Sequence, residues 1–262
     1  VISITEKRNE SGKIKVLVCE LGEEISVESQ INGSVSVPGY KTGQLVAGKI
    51  VDDPYFYRDI ELGAIWTPEA TTFRTFAPTA LEVYVHYYLQ PSGGEPYRYK
   101  MYPIGNGIWE ITLKGNLKNA YYKFYTVFVD DEYEIMDPYS KANTGTRGRC
   151  IIVGDEVNIP IAPGPQFDNS EAIISEIHIR EISIDENSDV KLKGKYLGLT
   201  EEPTYVPNTQ VTTNLSHLAE LGVNVVQIMP FQDFDNDEDN PGHNWGYMPF
   251  HYNSPDGAYA TK

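Results

Sequence analysis

The chain has 262 residues, 40% of them hydrophobic and 12% aromatic, with 19 tyrosines against 9 phenylalanines. This composition suits a folded, β-rich protein with wet aromatic surfaces and excludes disorder and collagen. Acidic residues outnumber basic ones 37 to 21, a net charge of -16, so phosphate backbones and anionic lipid are repelled and neither nucleic acid nor membrane is an expected partner. A neutral polymer such as a polysaccharide meets no such repulsion.

The first fifty-odd residues read as a small β module (residues 1–57). Residues 14–21 are an apolar-rich run, residues 24–28 alternate polar and apolar, and Asn32-Gly33 and Pro38-Gly39 are turn signals. Cys19 lies in the first run as a small hydrophobe, and with only Cys150 besides it the chain has no disulfide framework and no thiolate metal spacing. No signal-peptide pattern opens the chain, so a cytoplasmic location is expected.

Residues 58–155 carry alternating strands. Val83, Val85, Tyr87 and Leu89 share one face, as do Trp109, Ile111 and Leu113, and then Tyr122, Phe124, Thr126 and Phe128. Turn signals at Pro91-Ser92-Gly93-Gly94 and Gly105-Asn106-Gly107 separate them, which predicts an antiparallel, immunoglobulin-like sandwich. Its tyrosines and Trp109 (Tyr84, Tyr87, Tyr88, Tyr121, Tyr122 and Tyr125 with it) serve either as core and cross-strand pairs or as a sugar platform.

From residue 156 the character changes. Three prolines and a glycine within residues 159–169 mark a linker. An apolar-rich strand is predicted over residues 172–184 and a helix over 212–221, started by Thr212 or Thr213 and stopped at Gly222. The run over 223–230 suits a parallel strand covered on both faces. Glu176, His178 and Arg180 fall on one strand face and predict a hydrogen-bonded structural cluster. The acidic run over 233–240 lacks the EF-hand glycine and closing glutamate, so it reads as a solvated loop; no metal or cofactor site is expected.

Five ordered pieces carry a family resemblance. They are Glu61-Leu62-Gly63-Ala64 with Thr72-Phe73-Arg74-Thr75-Phe76-Ala77-Pro78; Met136-Asp137-Pro138-Tyr139-Ser140-Lys141-Ala142; and Ser175-Glu176-Ile177-His178-Ile179-Arg180-Glu181 with Gly194-Lys195-Tyr196-Leu197-Gly198-Leu199-Thr200-Glu201. The fourth is the stretch from Leu218 to Pro230. The fifth is Asn244-Trp245-Gly246-Tyr247, Pro249 and the stretch from Tyr252 to Ala260. Together they resemble the type I pullulanases of the α-amylase superfamily. Met248, Ser175, Glu181 and Ile182 depart from the family pattern and mark a divergent member.

The resemblance implies a starch-binding, isoamylase-N-type sandwich, followed over residues 156–262 by the first strands of a (β/α)8 TIM barrel. It implies hydrolysis of α-1,6-glucosidic bonds in pullulan, glycogen or limit dextrins. No segment matches the family's catalytic carboxylates, so these are expected beyond residue 262, in a missing part or in a second chain completing the barrel, and the fragment alone is expected to be inactive. Tyr247, Trp245 and Asn244 are the substrate-binding candidates, Tyr247 because its family counterpart lines the sugar subsite at the cleavage point. The alternative is a non-catalytic α-glucan-binding protein.

Overall fold

The computed structural model describes residues 3–12, 14–20, 22, 33–39, 41–44, 52, 54–128, 131–154 and 160–261. The alternation at residues 24–28, Asn32 and the side chain of Cys19 lie outside them. Near the start, β1 (Ser3–Arg8) and β2 (Ile14–Glu20) pair antiparallel, and the turn between them contains Gly12. β3 (Ser34–Val35) and β4 (Gly43–Gln44) form a second small antiparallel pair around the turn at Gly39.

The sandwich is built from two antiparallel sheets. One orders β5 (Gly63–Trp66), β6 (Ala70–Phe76), β10 (Ile108–Lys114) and β9 (Tyr102–Pro103) as β5-β6-β10-β9. The other runs β12 (Glu132–Ile135), β11 (Tyr121–Val127), β7 (Glu82–Tyr88) and β8 (Tyr97–Lys100), with β13 (Cys150–Ile151) also on β11. Period-two alternation decides what lies between them. Phe73 from one sheet and Val83, Val85, Tyr122 and Phe124 from the other are buried, with Trp109, Ile111 and Leu113 packed against them. Each fully buried side chain of this size stabilises by roughly 1.5–3 kcal/mol.

Leu89 departs from the expected face: β7 ends at Tyr88, and Leu89 lies exposed in the turn beyond it. The turn at residues 105–107 holds three consecutive positive φ angles at Gly105, Asn106 and Gly107, the conformations that glycine and asparagine tolerate. Cys150 is a buried free thiol whose Sγ accepts the Asp137 amide at 3.1 Å, and burial pushes it up to about 12.

Past an exposed irregular stretch at residues 160–168, β14 (Ile174–Ile177) pairs in parallel with β15 (Val225–Ile228). The crossover carries α1 (Asn214–Glu220), so the segment is one βαβ unit. Gly222 stops the helix as expected: its own N–H reaches the Ala219 carbonyl and that of Val223 reaches Leu218, a Schellman ending with Gly222 at φ 82°. Neither threonine caps the start with its side chain, because Thr213 Oγ1 bonds Thr204 and Thr212 Oγ1 bonds Glu220.

Two expectations for this region are corrected. The strand predicted over 172–184 is only four residues long, because the chain turns at His178, where the amide of Ile182 bonds its carbonyl. The run at 223–230 is in a parallel strand but not covered on both faces among the described residues: Val226 and Ile228 are exposed, since β15 has one neighbour. A second core gathers Ile179, Phe234, Ala258 and Tyr259, with Tyr196, Leu199 and Phe231 around it. It underlies the antiparallel pair β16 (Gln232–Phe234) and β17 (Pro249–Pro255). No helix among the described residues is long and apolar enough to cross a membrane.

Candidate functional site

The loop over residues 235–248 joins β16 to β17 and contains all three substrate-binding candidates. Trp245 and Tyr247 are each 61% exposed, so their rings are open to a ligand. Asn244 spends its side-chain oxygen locally, accepting the Gly246 amide at 3.0 Å in an Asx turn. Gly246 sits at φ 77°, and a Cβ there would collide with the carbonyl oxygen of Pro230. Only glycine lets this loop lie against the end of β15.

The loop is pinned from below. His178 Nε2 is 2.8 Å from the Asn244 carbonyl oxygen, and the Tyr259 hydroxyl lies 3.4 Å from the same nitrogen. Beside it, His243 Nδ1 meets Glu181 Oε1 at 3.2 Å, and Arg180 pairs with the same oxygen at 2.5 Å. Burial pushes the Glu181 carboxyl up, but Arg180 and His243 outweigh it and hold the carboxyl below its ordinary value. The expected cluster therefore forms around His178 and Arg180, but without Glu176. That residue is exposed and accepts from Gln227 at 2.9 Å, because β14 ends before alternation could carry both residues to one face.

The acidic run is not a solvated loop throughout, and this corrects the sequence reading. Asp233 is fully buried and Glu238 half-buried, and both approach the buried Asp256 from the far end of β17. One oxygen from each of the three carboxylates lies within 4.8 Å of the others. Burial first, and then the neighbouring carboxylates, pushes the Glu238 carboxyl up; burial does the same to Asp233, against the opposing pull of His251. Asp256 is held by the Ala258 amide at 2.8 Å and by Asn236 at 3.0 Å. Oxygen-only donors of this kind are the set a hard divalent cation would take. Both aspartates are buried and hydrogen-bonded inward, so the group presents no pair of carboxyls to a sugar. Sequence separation hid it: the run at 233–240 and Ser254-Pro255-Asp256-Gly257 were each visible, but not their meeting.

The same aspartate ties this region to the sandwich. Asn143 donates to Asp233 Oδ2 at 2.9 Å, and the Thr146 hydroxyl lies 3.2 Å from Oδ1. Nearby, Ser254 donates to the Ser140 carbonyl at 2.7 Å and Asn253 to that of Pro138 at 2.9 Å. The sandwich's own aromatics are less available. The Arg98 guanidinium covers Tyr84 at 3.8 Å and Tyr125 at 4.6 Å, Arg149 covers Tyr88 at 3.4 Å, and Tyr122 is in the core.

Residues 61–140 match carbohydrate-binding module 48, the isoamylase N-terminal domain. The pullulanase of Bacillus subtilis strain 168 is 34% identical over 232 residues, covering 86% of this chain and 32% of that protein. A pullulanase structure from Bacillus acidopullulyticus matches with a TM-score of 0.79 at 34% identity, over 87% of this chain and 29% of that one. A pullulanase from Anoxybacillus sp. LM18-11 complexed with maltotriose matches with a TM-score of 0.77 at 38% identity, over 84% and 32%. The chain spans about a third of the length of the curated relatives it matches (32% and 30% of the first two).

Proposed function

We propose that this chain, which matches carbohydrate-binding module 48 over residues 61–140 and is similar to pullulanases beyond it, serves a debranching glycoside hydrolase cleaving α-1,6-glucosidic bonds. The observation that carries this is the likeness to a pullulanase over 86% of the chain, well past the module itself. The β14-α1-β15 unit is read as the opening of a (β/α)8 barrel. Its two strands run parallel around a helix, and their outer apolar residues lie bare, as strands awaiting neighbours would.

In such a barrel, sites form from loops at the C-terminal ends of the strands. The loop with Trp245 and Tyr247, between β16 and β17, lies against Pro230 just past the C-terminal end of β15, and its open rings suit the C–H face of a pyranose. A retaining hydrolysis needs two carboxyl groups about 5 Å apart on either side of the bond. We assign none among the described residues and place that pair in the part of the protein, or the second chain, that completes the barrel.

The test is a pullulan digest by the full-length protein. Release of maltotriose is expected, and Tyr247→Ala should raise KM roughly tenfold, the loss of about 1.4 kcal/mol of ring contact. Binding of pullulan with no product formed would replace this reading with a non-catalytic glucan-binding protein. Neither binding nor cleavage would remove both.

A further inference from the structure

His178 is buried where β14 gives way to a turn, and its two ring nitrogens face opposite kinds of partner. Nδ1 lies 3.1 Å from the amide nitrogen of Arg180 and 3.3 Å from that of Glu181. Backbone amides only donate, so Nδ1 must present its lone pair. Nε2 lies 2.8 Å from the carbonyl oxygen of Asn244, which only accepts. That nitrogen must therefore carry the proton. The two constraints agree on one tautomer, and the Nδ1 contacts are the ones that select it, since a proton on Nε2 would be equally present on a doubly protonated ring.

The consequence is mechanical. The ring joins a turn at residues 178–181 to a residue 66 positions further along the chain. It grips that loop by the main chain of Asn244, the residue just before Trp245. Gly246 fixes the other side by lying against Pro230. Trp245 lies between these two anchors and Tyr247 directly follows the second, and both rings are exposed. The edge-on contacts of His178 with Tyr259, at 5.7 Å between ring centroids, and its tilted approach to His243, at 5.5 Å, keep the imidazole from rotating out of line.

We propose that His178, locked as its Nε2–H tautomer by the amides of Arg180 and Glu181, is the positioning residue that sets the Asn244–Tyr247 loop for glucan. The role of the loop rests on the function proposed above; the anchoring does not.

Two substitutions separate the ring's two jobs. His178→Asn places a side-chain oxygen near Nδ1, so the turn keeps its acceptor, but the side chain is too short to reach Asn244. His178→Gln can extend an amide donor to the position of Nε2. In the full-length protein, hydrogen exchange is followed for peptides spanning residues 240–248, together with maltotriose affinity. In His178→Asn we expect loop exchange to quicken and maltotriose binding to weaken, each roughly five- to tenfold for one lost hydrogen bond. His178→Gln should recover most of both. Exchange in His178→Asn equal to the parent, or no recovery in His178→Gln, overturns the proposal. Tyr247→Ala serves as the separate control. If it binds maltotriose like the parent, the loop's glucan role falls, and the exchange data alone decide the anchoring.

Discussion

Asn143, in the loop leading to β13 of the sandwich, donates its side-chain amide to Oδ2 of Asp233 at 2.9 Å, although ninety residues separate them. Asp233 is wholly buried. The sandwich thus supplies part of the solvation that a carboxylate in the following region has lost. Asn143→Ala should cost about 1–3 kcal/mol, the penalty of leaving a buried acceptor short of a partner. Thermal unfolding checks this: the variant's midpoint should fall, and a protease should cut within residues 160–168 sooner. An unchanged midpoint would mean that the two regions are joined by other contacts.

A second buried pair lies inside the sandwich. Tyr122 donates its hydroxyl to Asp137 Oδ2 at 2.6 Å, while the Tyr139 amide reaches the other oxygen at 2.9 Å. Burial pushes the Asp137 carboxyl up, and the Tyr122 bond opposes that shift. Tyr122→Phe keeps the ring packing against Phe73 but removes the donor. Urea denaturation should show a loss of about 1–3 kcal/mol at an unchanged m-value.

The loop carrying the open rings should tolerate no side chain at Gly246. Its positive φ costs a non-glycine residue about 1–2 kcal/mol, and the collision with Pro230 adds to that. Gly246→Ala should therefore displace the loop and weaken maltotriose binding by roughly tenfold or more. Calorimetric titration with maltotriose reads the effect. Parent-like affinity would show that the loop's exact seating is unimportant.

The carboxylate group gives a prediction with a definite sign. Glu238 has its folded-state value raised by burial, then by Asp256 and Asp233. For a raised acid the folded protein holds more protons than the unfolded one between the two values, so stability falls as pH climbs through that window. The window opens at the ordinary carboxylate value, about 4, and closes at the raised one. With chelator present, Glu238→Gln should raise the melting temperature at pH 7 and change it little below pH 4. A lower melting temperature at pH 7 would show that the negative charge is needed there even without a cation.

Much of the sandwich was legible because its information is local. Alternation at period two put Val83, Val85, Trp109, Ile111, Leu113, Tyr122 and Phe124 on inward faces, and glycine-rich turns set the spacing. Gly222 as a helix stop was equally local. Leu89 failed by one residue, since alternation does not say where a strand ends. The predicted strand over 172–184 failed for a different reason: the imidazole of His178 accepts the amides of Arg180 and Glu181 and so favours a turn over continued extension.

The sequence alone determined the strand faces, the turns, the helix stop and the order of family motifs, because each depends on neighbours a few positions away. Only the tertiary structure decided which distant groups meet. It brought Asp256 to Asp233 and Glu238, Asn143 to Asp233, and the Asn244 carbonyl to His178. It also laid Arg98 over Tyr84 and Tyr125, closing rings that composition had left open. The reason is physical: burial, charge proximity and hydrogen-bond geometry are properties of positions in space, and residues far apart in the chain share those positions only once it has folded.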